Sequence, residues 1–252
     1  MDVIVLCAGY ATRLYPLTRN KPKALLPVAG KPILEHILTH LEQLTEIDHI
    51  YIVTNHKFYT HFRKWSASWK GHVGVQVVND GTKSNATRLG SIGDMAYVVR
   101  RKKISSDLLV IAGDNLFDDD LKRFQKIAQR RKNGISVAVT NVRSKQLARQ
   151  YGILEANSKG RVRSFLEKPE NPPSTLASAG IYYLPKRGLG WLKRFLVLYR
   201  KADALGFFIK WLVENHVVYA YTLKGKWFDI GDHKSLKEAN QLFKKRQKKS
   251  QG

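Results

Sequence analysis

Cysteine is almost absent: Cys7 is the only one among 252 residues, which excludes an internal disulfide and fits a reducing, cytoplasmic compartment. Long apolar runs are missing too, and none reaches the ~18 residues that a membrane span needs. The first strand-like stretch carries Asp2 and no basic leader, so no secretory signal is expected. Neither a Walker A loop nor a GxGxxG fingerprint occurs, because the glycines that both require are missing. Internal repeats, long linkers and helix-turn-helix or RNA-binding signatures are lacking as well.

Acidic residues are the last scarcity. Twenty acids face 44 lysines and arginines, a net charge of +24. Such an excess favours polyanionic partners: nucleic acid, an anionic membrane or phosphorylated substrates. Much of it lies in clusters at 100–103, 130–132 and 244–249, a pattern that solvated helix ends and a frayed tail also produce. With 43% hydrophobic residues, the length suits one large α/β domain or two small ones with a sizeable core.

Apolar, β-branched runs at 3–7, 50–54, 73–78, 108–112 and 135–140 read as buried strands. Helical patterns at 33–44, 57–69, 86–101 and 119–132 alternate with them, which predicts an α/β fold with a mostly parallel sheet covered on both faces. After residue 140 the rhythm changes to shorter strands at 151–155, 161–166 and 179–184. Helices at 189–200 and 207–215 follow, then strands at 217–223 and near Trp227 and a last helix from His233. The proline cluster Pro169, Pro172, Pro173 marks a loop within one unit. The expected organisation is a single domain over 1–243, with halves at about 1–140 and 141–243, and a disordered basic tail at 244–252.

The chemistry concentrates near the N-terminus. A buried strand ends at Ala8-Gly9, and Thr12-Arg13-Leu-Tyr-Pro-Leu-Thr and Pro22-Lys23-Ala-Leu-Leu-Pro follow within one connection. Small residues let backbone N–H groups approach a phosphate; Arg13 adds a planar fork and Lys23 a point charge. Further along, Gly113-Asp114-Asn115 ends a buried strand, the position at which a cleft opens in an α/β sheet. Asp118–Asp120 reads as a helix N-terminal turn, and Asp232 as the N-cap of the last helix.

On these strings the chain resembles the sugar-nucleotide pyrophosphorylases of the nucleotidyltransferase family, such as glucose-1-phosphate and mannose-1-phosphate nucleotidyltransferases. The match covers nearly the whole chain, through Tyr151-Gly152, Phe165-Leu-Glu167-Lys168-Pro169 and Trp227-Phe-Asp229-Ile-Gly231. It departs at Ala8 and Ala11, where the family usually has glycine.

The resemblance implies a Rossmann-like, GT-A-like mixed sheet and transfer of a nucleotidyl group from a nucleoside triphosphate to a sugar 1-phosphate, with Mg²⁺. It implies catalytic roles for Arg13 and Lys23, and metal binding by Asp114 and Asp229. Leu6, Ala8, Gly9, Thr12, Gly81, Leu89 and Gly90 then fall at nucleotide-binding positions, and Gly152, Glu167 and Lys168 at acceptor-binding ones. Nucleobase and sugar are not legible. Two other readings stand beside it: an alcohol phosphate such as phosphocholine as acceptor, or a non-catalytic basic relative that binds nucleic acid. Because the sequence ends soon after Asp229, little regulatory apparatus is expected.

Overall fold

The computed structural model describes residues 1–131, 133–199 and 203–250, with backbone alone at 247–250. In chain order, β1 (Asp2–Leu6) leads through two 3₁₀ turns to the two-residue strands β2 (Pro27–Val28) and β3 (Lys31–Pro32). Next come α1 (Ile33–Leu41), β4 (His49–Thr54), α2 (Tyr59–Ser68), β5 (Val75–Asn79) and α3 (Gly90–Arg101). The middle of the chain forms β6 (Leu108–Ala112), β7 (Asn115–Phe117), α4 (Leu121–Arg130), β8 (Gly134–Asn141), α5 (Lys145–Ala148), β9 (Gly152–Ala156) and β10 (Val162–Glu167). It closes with β11 (Leu176–Leu184), α6 (Gly188–Leu198), α7 (Leu205–Asn215), β12 (Val217–Thr222), β13 (Trp227–Asp229) and α8 (His233–Ser250).

β1 lies between β4 and β6 and runs parallel to both, and β5 extends that parallel half outside β4. The second half enters through β11, antiparallel to β6 and to β8; β12 then pairs parallel with β8, and the β9–β10 hairpin joins at the far edge of β11. The mixed, helix-flanked sheet agrees with the sequence reading. Strand order reverses at β1, where β4 and β6 leave on opposite sides, so a crevice opens at the carboxyl ends of β1 and β6.

The two faces of β1 show why the fold has two helical layers. Alternate side chains point to opposite faces: Val3 and Val5 join a cluster with Ile37, Phe62 and Phe124, whereas Ile4 joins Ile92, Met95 and Phe208. Helices α1, α2, α4 and α8 thus cover one face, and α3, α6 and α7 the other. Helix α1 shows the local rule, burying Ile33, Leu34, Ile37, Leu38 and Leu41 along one stripe.

Several elements differ from the sequence reading, which contained neither β2, β3 nor α5. Helix α3 starts at Gly90 rather than 86, because residues 85–87 form a separate 3₁₀ turn closed by a Ser84–Thr87 capping box. Strand β7 was not anticipated; it exists only by pairing with β13. Helix α8 continues through Ser250, where the sequence pattern alone has a disordered tail from Lys244. The reason is a stripe at helical spacing: Leu236 and Phe243 pack on the core beside fully buried Ala239, Phe243 meets His36 edge-on at 5.1 Å, and Arg246 pairs with Asp118. Lys132 and Arg200, expected helix ends, and residues 251–252 lie outside the described residues.

Candidate active site

The crevice floor is the loop after β1. Cys7 N–H bonds Val53 O at 2.8 Å and Asn55 Nδ2 donates to Ala8 O at 2.8 Å, which ties the loop to β4. Gly9 is exposed with open space where a Cβ would stand, so its backbone is free to meet a ligand closely. Ala11, at a usual glycine position, has φ 49° and carries a left-handed backbone that favours glycine. Its carbonyl is held by Thr18 Oγ1 at 2.7 Å and Leu14 N at 3.0 Å, which secures the strained turn. Thr12 and Arg13 follow in an exposed 3₁₀ turn, while Leu6 lines the crevice from β1 beside Ala11 and Lys23.

Charge converges directly above this loop. Lys23 Nζ donates to Asp114 Oδ2 at 2.6 Å. Gly113 leaves no room for a side chain because Cys7 Sγ and the Leu6 carbonyl crowd it, so Asp114 is delivered to the end of β1. Asp229 arrives by a different route: β13 pairs with β7 in the register Asp229↔Asn115, and Ile230 N bonds Asp114 O at 3.0 Å. A methyl built on Gly231 would stand 3.7 Å from both terminal nitrogens of Arg13 and 3.8 Å from Asp229 Oδ2. Burial and the neighbouring Asp114 carboxylate push the Asp229 carboxyl up to about 6, against the opposing pull of Lys23, Arg13 and Lys168. Two carboxylates and three cations therefore share one field.

The second wall comes from β9 to α7. Glu167, at the end of β10, is wedged between Gly152 on β9 and Gly206 in the first turn of α7; a Cβ on Gly206 would collide with its Oε2. Burial raises the Glu167 carboxyl above its ordinary range, with Lys168 opposing, and among the described residues it makes no hydrogen bond or ion pair. Lys168 is exposed, in a left-handed conformation (φ 47°) that its N–H secures by bonding Tyr151 O at 3.1 Å. Tyr151 and Trp227 meet edge to face at 5.1 Å, and both line an open cavity that also contains Arg13 and Asp229.

On the opposite side, Tyr10 Oη reaches Thr82 O at 3.2 Å, bringing the Asp80-Gly81-Thr82 turn beside the β1 loop. Gly81 is exposed at φ 83° and Leu89 is exposed. Gly90 is buried instead, covered by Asp203, whose carboxylate holds Arg88 at 2.5 Å.

The sequence profile described as Nucleotidyl transferase matches residues 2–246. The chain belongs to the nucleotidyl transferase family. It is 33% identical to the bifunctional protein GlmU of Methanocaldococcus jannaschii over 243 residues, covering 96% of this chain and 54% of that protein. It is 32% identical to a candidate mannose-1-phosphate guanyltransferase of Sulfolobus acidocaldarius, covering 92% of this chain and 60% of that one. This chain thus spans little more than half the length of such relatives. A UDP-glucose pyrophosphorylase crystallised with UDP-glucose shares the fold at a TM-score of 0.82, with 20% identity, 97% of this chain and 98% of that one covered.

Within this nucleotidyl transferase chain, sequence reasoning missed residues that only packing reveals. Asp94, 6% exposed on α3, faces Asp80, and among the described residues its Oδ1 has no hydrogen-bond partner. Burial, then repulsion from Asp80, pushes its carboxyl up to about 8. Gly206 and Asp203 went unnoticed because nothing in their local pattern signals a wall of the cleft. Asp232 is the cap expected of it, accepting from Ser235 N at 2.8 Å, and Asp120, read as part of a helix N-terminal turn, caps α4 by accepting from Lys122 N at 2.8 Å.

Proposed function

We propose that the chain catalyses attack by the phosphate oxygen of a sugar 1-phosphate on the α-phosphorus of a nucleoside triphosphate. The new P–O bond forms as the bond to the β-phosphate oxygen breaks, and pyrophosphate leaves. The observation that carries this reading is the meeting of Asp114, Asp229, Lys23 and Arg13 at the carboxyl ends of β1, β6 and β13, with Lys168 at the end of β10 adding its charge to the field at Asp229. Pushing two polyanions together requires charge neutralisation and alignment more than bond-making groups.

In this reading Gly9 and its neighbours cradle the triphosphate, Arg13 faces the leaving pyrophosphate, Lys23 the α-phosphate and Lys168 the attacking phosphate. Gly81, Leu89 and the turn around them flank the base, with Gly90 supporting that wall from beneath. Glu167, whose carboxylate has no protein partner among the described residues, accepts hydrogen bonds from acceptor hydroxyls beside Gly152. The attacking phosphate is largely ionised near neutral pH, its second pKa being about 6, so no general base is required.

The donor set also fits Mg²⁺. Among the described residues no group of three or more His, Cys, Asp or Glu side chains forms a ready cage, and Mg²⁺ characteristically takes one or two carboxylates plus phosphates and water. Asp114 and Asp229 would hold it, and their mutual repulsion is relieved by a cation. When bound, Mg²⁺ supplies further neutralisation of the phosphates.

Pyrophosphate release tests the proposal, measured with Mg²⁺ across a panel of triphosphates and sugar 1-phosphates. Phosphocholine belongs in the panel because Tyr151 and Trp227 offer faces for a quaternary ammonium. Turnover with at least one sugar phosphate is expected. Phosphocholine turnover alone would reassign the acceptor. Nucleic-acid binding without any turnover would leave a non-catalytic relative.

A further inference from the structure

Among the described residues, the three most exposed large apolar side chains are consecutive: Val197, Leu198 and Tyr199, at 67%, 57% and 50%. They end helix α6. Phe207, 47% exposed, opens α7 after the connection. The two sites form one corner of the molecule, because the ring of Tyr199 stacks on Phe195 at 4.9 Å and Phe195 packs on Phe208 at 5.3 Å.

Exposed cations accompany Val197, Leu198 and Phe207 one helical turn away. Lys193 precedes Val197 by four positions, Arg194 precedes Leu198 by four, and Lys210 follows Phe207 by three. Residues at these spacings share a helix face. The corner therefore presents an apolar tip with a basic rim. Glu214 is the neighbouring acid on α7, 4.0 Å from Lys210, and Asp203 is engaged by Arg88.

We propose that this α6–α7 corner docks the enzyme on an anionic lipid bilayer. Leu198, Val197, Tyr199 and Phe207 would enter the headgroup–acyl boundary while Lys193, Arg194 and Lys210 meet lipid phosphates, the arrangement that binds amphipathic surfaces to membranes. Charge decides between occupants. A second copy of a +24 chain would bring the same basic rims face to face in an isologous contact, whereas an anionic surface neutralises them. Membrane attachment is not required for the transfer reaction, so this inference stands apart from the proposed chemistry.

The test is sedimentation of the full chain with phosphatidylcholine vesicles and with vesicles containing about 30% phosphatidylglycerol, at low and high salt. Binding is expected only to the anionic vesicles and should weaken with salt. Leu198→Asp/Phe207→Asp and Lys193→Glu/Arg194→Glu should each lower vesicle affinity by about tenfold or more. Arg63→Glu/Lys64→Glu on α2, beside the opposite edge strand β5 and changing total charge equally, should lower it much less. Circular dichroism melting confirms that each variant is folded. Three outcomes overturn the proposal: no binding to anionic vesicles, equal losses from the α2 and α6 charge reversals, or a vesicle-independent dimer that the Leu198 and Phe207 variants dissolve.

Discussion

Lys23 Nζ and Asp114 Oδ2 lie 2.6 Å apart across the mouth of the crevice between β1 and β6. They come from turns that follow different strands, 91 residues apart in sequence. This pair, with Asp229 beside it, makes the strongest case for a two-carboxylate cation site. Activity should vanish in EDTA and return with Mg²⁺, and Asp114→Ala should cost several kcal/mol of transition-state stabilisation while keeping the native melting curve. Full rates in EDTA, or in the variant, would remove Asp114 from this role.

Arg13 and Lys23 are expected to act by electrostatics alone. Arg13→Ala and Lys23→Ala should each lower kcat/KM by roughly 10²-fold or more, the typical loss for one preorganised donor. Because Arg13 is exposed and Lys23 only half-buried, their melting temperatures should change little. Early melting with intact specific activity would make them structural residues.

If Glu167 and Lys168 hold the acceptor as proposed, the two substrates should respond differently to changes there. Lys168→Ala should raise KM for the sugar phosphate far more than for the triphosphate. Gly206→Ala should do the same from a distance, since its new methyl would displace the Glu167 carboxylate. Equal losses for both substrates, measured with each varied at saturating partner, would contradict this placement.

The Asp80–Asp94 pair predicts a pH-dependent stability. The Asp94 carboxyl rises from its ordinary 3.8 to about 8 in the fold, chiefly through burial. Between those limits the folded chain holds a proton that the unfolded chain has lost, so the stabilisation present below 3.8 is lost as pH climbs toward about 8. Asp94→Asn lacks this titration. Its melting temperature should gain on the parent's as pH rises from about 5 to about 8, and the gain should level off above. A difference constant with pH would show that Asp94 titrates normally.

The end of helix α8 predicts a small stability effect and little effect on turnover. A chain ending at Phe243 keeps the buried stripe through Ala239 but loses the Arg246–Asp118 pair. Arg246 is exposed, so the loss should stay below about 1 kcal/mol. Turnover should be retained at low and physiological salt. A large fall in kcat at both would place the end of α8 in the working enzyme.

Local pattern alone located the parallel half of the sheet, because buried strands read as unbroken apolar runs; 108–112 coincides with β6. It also singled out Arg13, Lys23 and Asp114 as charged residues after strand ends, and the structure brings Lys23 and Asp114 together. Three things required the third dimension. The strand near Trp227 was legible, but Asp229 is set beside Asp114 only by the pairing of β13 with β7, and the three residues of β7 carry too little periodicity to be recognised. Gly206 and Asp94 matter through what faces them, Glu167 and Asp80, and such facing is set by helix docking. The end of α8 turned on long-range contacts: five basic residues between 244 and 249 favour fraying by their mutual repulsion, but Phe243 against His36 and Arg246 against Asp118 anchor the helix across the fold. Sequence determines what depends on neighbours along the chain; tertiary structure decides which distant charges and side chains must share one place.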